Sequence, residues 1–94
     1  MKLSFPNPSR SFDVSRKRVC FWGYDRTIEV TFFVEEDALM RLCPGMSNAE
    51  TGFLKAFDAA LHRIHEVADT VYGREGKGCK GVYAFSLSAG DFSD

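Results

Sequence analysis

The stretch VCFWGYDRTIEVTFFV, residues 19–34, contains two apolar alternations, at 19–24 and 27–34, joined at Asp25-Arg26. Side chains in a strand point alternately to the two faces of a sheet. Each run therefore predicts a strand with one apolar face. The two runs together predict a β-hairpin, and the hairpin is the feature on which the rest of the fold is built.

A two-residue loop at this junction would pair Tyr24 with Thr27. Under that register the apolar side chains of both strands share one face, as a single core requires. These side chains are Val19, Phe21, Gly23, Ile28, Val30, Phe32 and Val34. Arginine is disfavoured at the positive φ of a tight hairpin turn. A longer loop of even length, which keeps the same faces, is the alternative.

Helical patterns follow the hairpin. Acidic residues at 35–37 predict a short helix over 36–43, which Pro44-Gly45 would end. Ser47 and Glu50 have the spacing of a capping box. An apolar stripe with spacings of three and four residues then predicts one long helix over 48–72, ending at Gly73.

A third strand is predicted over 82–88, where Tyr83, Phe85 and Leu87 share one face. Proline and serine make residues 1–15 an extended N-terminal segment, and its apolar side chains should pack on the domain. The order β-β-α-α-β predicts an α+β two-layer sandwich in which a mostly antiparallel sheet of three or four strands packs on one long helix. Residues 1–94 should form a single domain.

Composition limits the classes of function. The 94 residues carry a formal net charge of −1 and are 45% hydrophobic, as in ordinary soluble domains. The near-neutral charge argues against a general nucleic-acid binder. No apolar run is long enough to span a membrane, and the N-terminus lacks the apolar region of a signal peptide. Three cysteines without CxxC spacing disfavour a disulfide framework, so we expect a cytoplasmic protein.

The candidate binding residues lie on the face of the hairpin opposite the core: Arg16, Arg18, Trp22, Tyr24 and Phe33. Aromatic and arginine side chains on an open sheet are typical of RNA stacking surfaces and of protein interfaces. We favour a third alternative, in which the N-terminal segment covers this face and buries Trp22 and Phe33 under Phe5 and Phe12. An unidentified protein partner or self-association comes next, and nucleic acid last.

Enzymatic chemistry is weakly indicated. His62, His65 and Glu66 lie close together on the long helix, where Asp58 and Asp69 could join them around a divalent metal. The segment does not match HExxH, and an exposed polar helix face explains it better, so no metal site is expected. No nucleophile motif is present, and we expect neither catalytic residues nor a cofactor.

Three short motifs resemble the YrdB-like small bacterial proteins, a domain-of-unknown-function family: FPNPSRSFD at 5–13, VCFWGYD at 19–25 and LSAGDF at 87–92. The resemblance implies a stand-alone bacterial cytoplasmic protein and brings no catalytic residues with it. It also draws attention to Arg10, Asp13 and Asp91, which we predict to pair with one another and fasten both termini to the sheet.

From the residues and this resemblance together we expect a non-catalytic binding or protein-interaction module. A nucleic-acid-associated regulatory protein using the outer sheet face is the first alternative, and a metal-dependent enzyme is the second.

Overall fold

The computed structural model describes residues 3–75 and 83–92. Their regular elements follow in chain order: β1 (Arg10–Asp13), β2 (Arg18–Asp25), β3 (Ile28–Val34), α1 (Glu36–Leu42), α2 (Glu50–Ala59), α3 (Leu61–Glu75) and β4 (Ala84–Leu87). A 3₁₀ turn at Ala89–Phe92 ends the described chain. The α+β class predicted from the sequence is confirmed. None of the helices in these residues is long and apolar enough to cross a membrane.

The sheet has the order β1-β2-β3-β4. β1 and β3 both pair antiparallel with β2, whereas β4 runs parallel to β3. The parallel pairing arises because the chain crosses from β3 to β4 through the three helices, which return it to the same end of the sheet. The sheet is therefore mixed, with two antiparallel pairings and one parallel pairing.

The hairpin register differs from the prediction by two residues. The turn residues are Arg26 and Thr27, and Asp25 pairs with Ile28 as the last rung of the ladder. Arg26 does adopt the disfavoured positive φ, at 60°. The Tyr72 hydroxyl donates a hydrogen bond to Asp25 at 2.7 Å, which holds Asp25 in strand β2. A shift of two residues preserves the alternation, so the predicted core face is unchanged.

The predicted single long helix is wrong, because the chain forms α2 and α3 with a break at Ala60 (φ −107°, ψ 17°). A straight helix over 48–72 would be about 37 Å long, whereas β2 is about 26 Å long at 3.3 Å per residue. The break keeps both helices against the sheet, so that Phe53 and Ile64 are both fully buried. Helix α3 also continues through Gly73 to Glu75.

The predicted capping box does not form. The residue preceding α2 is Ala49, which makes no side-chain cap hydrogen bond. Ser47 lies instead against Gly52, at a spot where a Cβ atom on residue 52 would overlap the Ser47 carbonyl oxygen and hydroxyl. The loop between α1 and α2 therefore packs directly on the backbone of α2, and glycine is required for that approach.

The core lies between the helices and one face of the sheet. Phe21 is at its centre, with ring centroids 5.3 Å from Phe32 on β3 and 5.3 Å from Phe57 on α2. Val19, Val30, Val34 and Leu87 complete the sheet side and are fully buried. Four strands and three helices thus share one apolar cluster, as expected for a domain of this size.

The N-terminal segment packs on the helix side of the sheet. The Leu3 backbone N–H donates to Asp69 at 2.8 Å, and Ser4 forms an antiparallel bridge with Tyr24. The Phe5 ring stacks on His65 at 3.9 Å and lies over Gly23, where a Cβ would come within 2.7 Å of the ring. This placement is what leaves the opposite face of the sheet open.

The expectation that Phe5 and Phe12 cover Trp22 and Phe33 is therefore wrong. Phe12 points to the helix side as well, with its ring centroid 4.9 Å from that of Phe53. Its strand neighbour Arg10 faces the same way and reaches Asp58 on α2. The alternation of β1 thus sends its large side chains toward the helices.

Candidate functional site: the outer face of the sheet

We call the sheet face opposite the helices the outer face. The strand pairings place eleven side chains on it: Ser11, Asp13, Arg18, Cys20, Trp22, Tyr24, Glu29, Thr31, Phe33, Ala84 and Ser86. All eleven side chains are at least partly accessible to solvent. Within the described part of the chain, therefore, no element packs on this face.

Arg18 organises one end of the outer face. Its Nε donates to Asp13 at 3.1 Å, and its NH1 donates to Glu35, just beyond β3, at 3.3 Å. The guanidinium carbon lies 3.7 Å from the centroid of the Phe33 ring, a cation–π contact. The Arg18 side chain is only 14% exposed as a result. It is held by two carboxylates and is poorly placed to bind a phosphate.

Hydrogen bonds to Asp13 strengthen this end further. The Ser15 hydroxyl donates to Asp13 at 2.9 Å, and this bond, with help from Arg18, lowers the pKa of the carboxyl group below its ordinary value. These hydrogen bonds therefore favour the charged form of Asp13. Glu35 was not among the candidates from sequence, although its position two residues after Phe33 continues the alternation onto the outer face.

The other end of the outer face carries Tyr24 and Glu29. The Tyr24 hydroxyl donates to Glu29 at 2.8 Å, and this hydrogen bond raises the pKa of the phenol. Between the two ends lie Trp22, half-buried, and its partner Thr31 on β3. Cys20 is also half-buried, and burial raises the pKa of its thiol, which disfavours the reactive thiolate.

Four of the five sequence candidates for binding lie on this face: Arg18, Trp22, Tyr24 and Phe33. The fifth, Arg16, lies in the turn that joins β1 to β2, where it is exposed beside Lys17. It therefore borders the outer face instead of forming part of it. The aromatic side chains lie on the two central strands, flanked by short side chains on β1 and β4.

The structure separates the residues considered for a metal. His62 is 90% exposed and its Nε2 lies 4.0 Å from Glu66, at the length limit of an ion pair. His65 turns inward against Phe5. Asp58 is bound by Arg10. Across residues 3–75 and 83–92 no three histidine, cysteine or acidic side chains come together as metal ligands could.

The ion pairs predicted among Arg10, Asp13 and Asp91 do not form with one another. Arg10 makes a bidentate pair with Asp58, at 3.0 and 2.8 Å. Asp13 binds Arg18, as described above. Asp91 accepts hydrogen bonds from the Ser88 backbone at 2.9 Å and from Arg74 at 3.2 Å. Each charge is paired, but with a different partner, so β1 and the 3₁₀ turn are attached to the fold separately.

Besides a cleft at the β2–β3 turn, two clefts among the described residues lie away from the outer face. One, of about 130 Å³, lies between the N-terminal segment and the junction of α2 and α3, with Phe5, Phe57 and His65 in its walls. Burial lowers the pKa of His65, and nearby His62 adds to the effect. The second, of about 300 Å³, is a wide depression beside Cys43 and Lys55.

Comparisons with known proteins identify a family. No curated protein matches the chain. A solved structure that does match is a protein of unknown function from Shewanella loihica PV-4, of the DUF1488 family. It is 15% identical, the match covers 93% of this chain and 92% of that one, and the TM-score is 0.75, which shows a shared fold. Residues 3–84 match the family described as protein of unknown function (DUF1488). The chain therefore belongs to the DUF1488 family.

Proposed function

We propose that the protein is a non-catalytic interaction module that binds a protein partner on its outer face. One observation carries the proposal: a sheet face with Trp22, Tyr24 and Phe33 on its central strands has no described element packed on it. These three side chains are half-buried, and partly accessible aromatic side chains grouped on one face of a small domain favour an interaction surface. Tryptophan, tyrosine and arginine are also the residues that contribute most at protein interfaces.

Charge favours a protein over a nucleic acid as that partner. The arginine on the outer face, Arg18, is bound by Asp13 and Glu35, and Glu29 adds a further carboxylate. On the face itself a phosphate backbone would meet three carboxylates and one engaged cation, while the exposed cations Arg16 and Lys17 lie only at its border. Nucleic-acid sites instead present free lysine and arginine along the path of the strand.

We also propose, from the sequence, a group of related proteins and a cellular compartment. The motifs at 5–13, 19–25 and 87–92 resemble those of the YrdB-like small bacterial proteins, which supports assigning the chain to that group. The absence of paired cysteine spacing in the sequence supports a location in the bacterial cytoplasm, where thiols stay reduced.

Site-specific photo-crosslinking tests the interaction. A photo-reactive benzophenone amino acid is placed at Thr31, at the centre of the outer face, and the protein is irradiated in bacterial cells. We expect a discrete adduct band. The matched control carries the same group at Met40, which is 53% exposed on α1 on the other side of the sheet.

Adducts at both positions, or at neither, would overturn the proposal. The mass of the Thr31 adduct also reports the partner, since twice the mass of the chain identifies a second copy and any other mass a different protein.

A further inference from the structure

We propose that the cleft between the N-terminal segment and the junction of α2 and α3 binds a neutral, planar, single-ring molecule that carries a hydroxyl or N–H group. The site is separate from the outer face and does not depend on the interaction proposed there. Four properties of the cleft support the proposal: its size, the aromatic rings in its walls, its electrical neutrality and the hydrogen-bonding groups of His65.

The volume of the cleft suits a single ring. The cleft measures about 130 Å³. In another protein, a dry apolar cavity of about 150 Å³ takes up benzene. Drug-sized ligands occupy clefts of roughly 300–1,000 Å³. The occupant of this cleft is therefore much smaller than a nucleotide or a peptide.

Aromatic rings form the walls of the cleft. Phe21 lies at their centre, with its ring centroid 5.3 Å from Phe57, 5.8 Å from His65 and 6.2 Å from Phe5. At these distances aromatic rings attract one another in offset or edge-to-face arrangements. A planar ring that enters the cleft can make the same contacts, which favours an aromatic occupant over an aliphatic one.

The wall formed by the N-terminal segment is fixed on both sides of the cleft. Ser4, directly before Phe5, pairs with Tyr24 of β2. Arg10, directly after the segment that borders the cleft, binds Asp58 on α2. A ligand would therefore enter a cleft whose walls are already in place, which reduces the entropy lost on binding.

Charge favours a neutral occupant. Asp58 borders the cleft, but Arg10 pairs with it at 2.8 Å. Burial lowers the pKa of His65, which keeps its imidazole uncharged at neutral pH. None of the described residues in the walls is a lysine or an arginine. A charged molecule would lose its water on entering without gaining an unpaired opposite charge.

His65 provides the polar contact. A neutral imidazole has one N–H donor and one nitrogen acceptor. Within residues 3–75 and 83–92 neither ring nitrogen has a hydrogen-bond partner, and no buried side-chain nitrogen or oxygen there is left unsatisfied, so both nitrogens are accessible. A hydroxyl or N–H group on the ligand can bond to this ring, and a mostly apolar cleft with a few polar groups is typical of small-molecule sites.

The test is a nuclear magnetic resonance titration of the isotope-labelled protein with phenol at about pH 8, above the ordinary pKa of histidine near 6.5. We expect saturable shifts confined to the amides around the cleft, with a Kd of roughly 0.1–1 mM. Benzoate has nearly the same size but carries a charge. It should bind at least roughly tenfold more weakly.

His65→Phe isolates the hydrogen bond, because it keeps a ring in the wall and removes both nitrogens. It should weaken phenol at least roughly fivefold and leave toluene binding unchanged, and intact toluene binding also establishes that the variant is folded. His62→Gln, at the exposed histidine one turn away, is the matched control and should bind phenol as the wild type does. Unsaturable shifts, shifts centred elsewhere, benzoate bound as tightly as phenol, or an equal loss of phenol and toluene in His65→Phe would each overturn the inference.

Discussion

At the scale of single residues, the hydrogen bond between Tyr72 and Asp25 joins helix α3 to the turn end of the hairpin. The Tyr72 ring is 7% exposed and packs edge-on against Phe85, at 5.9 Å. The bond to the Asp25 carboxylate raises the pKa of the phenol to about 12, with burial adding to the effect. A tyrosine whose folded pKa is raised stabilises the fold below the unfolded value near 10, and the contribution disappears as the pH rises toward 12.

Tyr72→Phe should therefore reduce the free energy of unfolding at neutral pH by about 1 kcal/mol, because it leaves the Asp25 carboxylate without its donor. Urea denaturation measures the loss. Tyr83→Phe is the matched control, since Tyr83 is 38% exposed, and it should change the midpoint little. Absorbance titration should show one phenol ionising near pH 12 in the wild type and none there in Tyr72→Phe. Equal stability of the two variants would refute this role for the hydrogen bond.

Alternation alone was enough to predict which side chains of the hairpin share a face. The aromatic residues Trp22, Tyr24 and Phe33 share the outer face as the two-residue period requires. The pairing of Arg18 with Glu35 could not be predicted, because it depends on the hairpin register, which alternation alone does not fix. The inward turn of His65 likewise depends on Phe5, sixty residues away in the chain, stacking on its ring.

At the scale of elements, two glycines within helices have opposite surroundings. A Cβ at Gly52 in α2 would overlap the backbone of Ser47, whereas a Cβ at Gly73 in α3 would meet no atom within 4 Å. Alanine is the better helix former at either position. Replacing either glycine with alanine therefore gives the same gain in helix propensity. The two substitutions differ only in the contact that the new Cβ atom makes.

We expect Gly73→Ala to raise the free energy of unfolding by about 0.5 kcal/mol. Gly52→Ala should lower it by about 1–2 kcal/mol, because the loop before α2 must move away from the helix. Chemical denaturation with unchanged slope measures both. If Gly52→Ala stabilised the protein as much as Gly73→Ala does, the close packing of the loop on α2 would be incorrect.

Three features of the fold were not predicted, because local sequence patterns do not determine them. Strand β1 carries Arg10 on its core-facing side, which breaks the apolar alternation, and Arg10 reaches out from there to pair with Asp58 on α2. The break at Ala60 has no local signal, since alanine favours helix and neither glycine nor proline is nearby. The hairpin register shifted by two residues because alternation is satisfied equally by any even shift.

At the scale of the whole molecule, the two sides of the sheet differ in what packs on them. The helices and the N-terminal part of the chain pack on the same side. The apolar residues Leu3, Phe5 and Phe12 all contribute to the core there. The segment is held at its start by Asp69 of α3 and by strand pairing with Tyr24. Because the helices and the N-terminal segment all lie on that side, the outer face is left accessible for intermolecular contact. This accessibility is the physical basis of the proposed function.

His65 makes the attachment of the N-terminal segment sensitive to pH. Its half-buried ring stacks on Phe5, and burial lowers its pKa below the ordinary value near 6.5, with His62 contributing. The Asp58 carboxylate borders the same cleft but is neutralised by Arg10. A histidine with a lowered folded pKa binds protons more readily when unfolded, so the stability that it confers is lost as the pH falls through 6.5 toward that lower value.

The free energy of unfolding should therefore fall between pH 7.5 and pH 5, and it should fall less in His65→Phe, whose ring still packs on Phe5 but does not ionise. His62→Gln is the matched control. It changes an exposed imidazole and should keep most of the pH dependence, because burial is the larger cause of the lowered pKa of His65. Urea midpoints measured across this range give the comparison, and nuclear magnetic resonance titration of the two imidazoles assigns each pKa. An identical slope in wild type and His65→Phe would show that the pH dependence originates elsewhere in the fold.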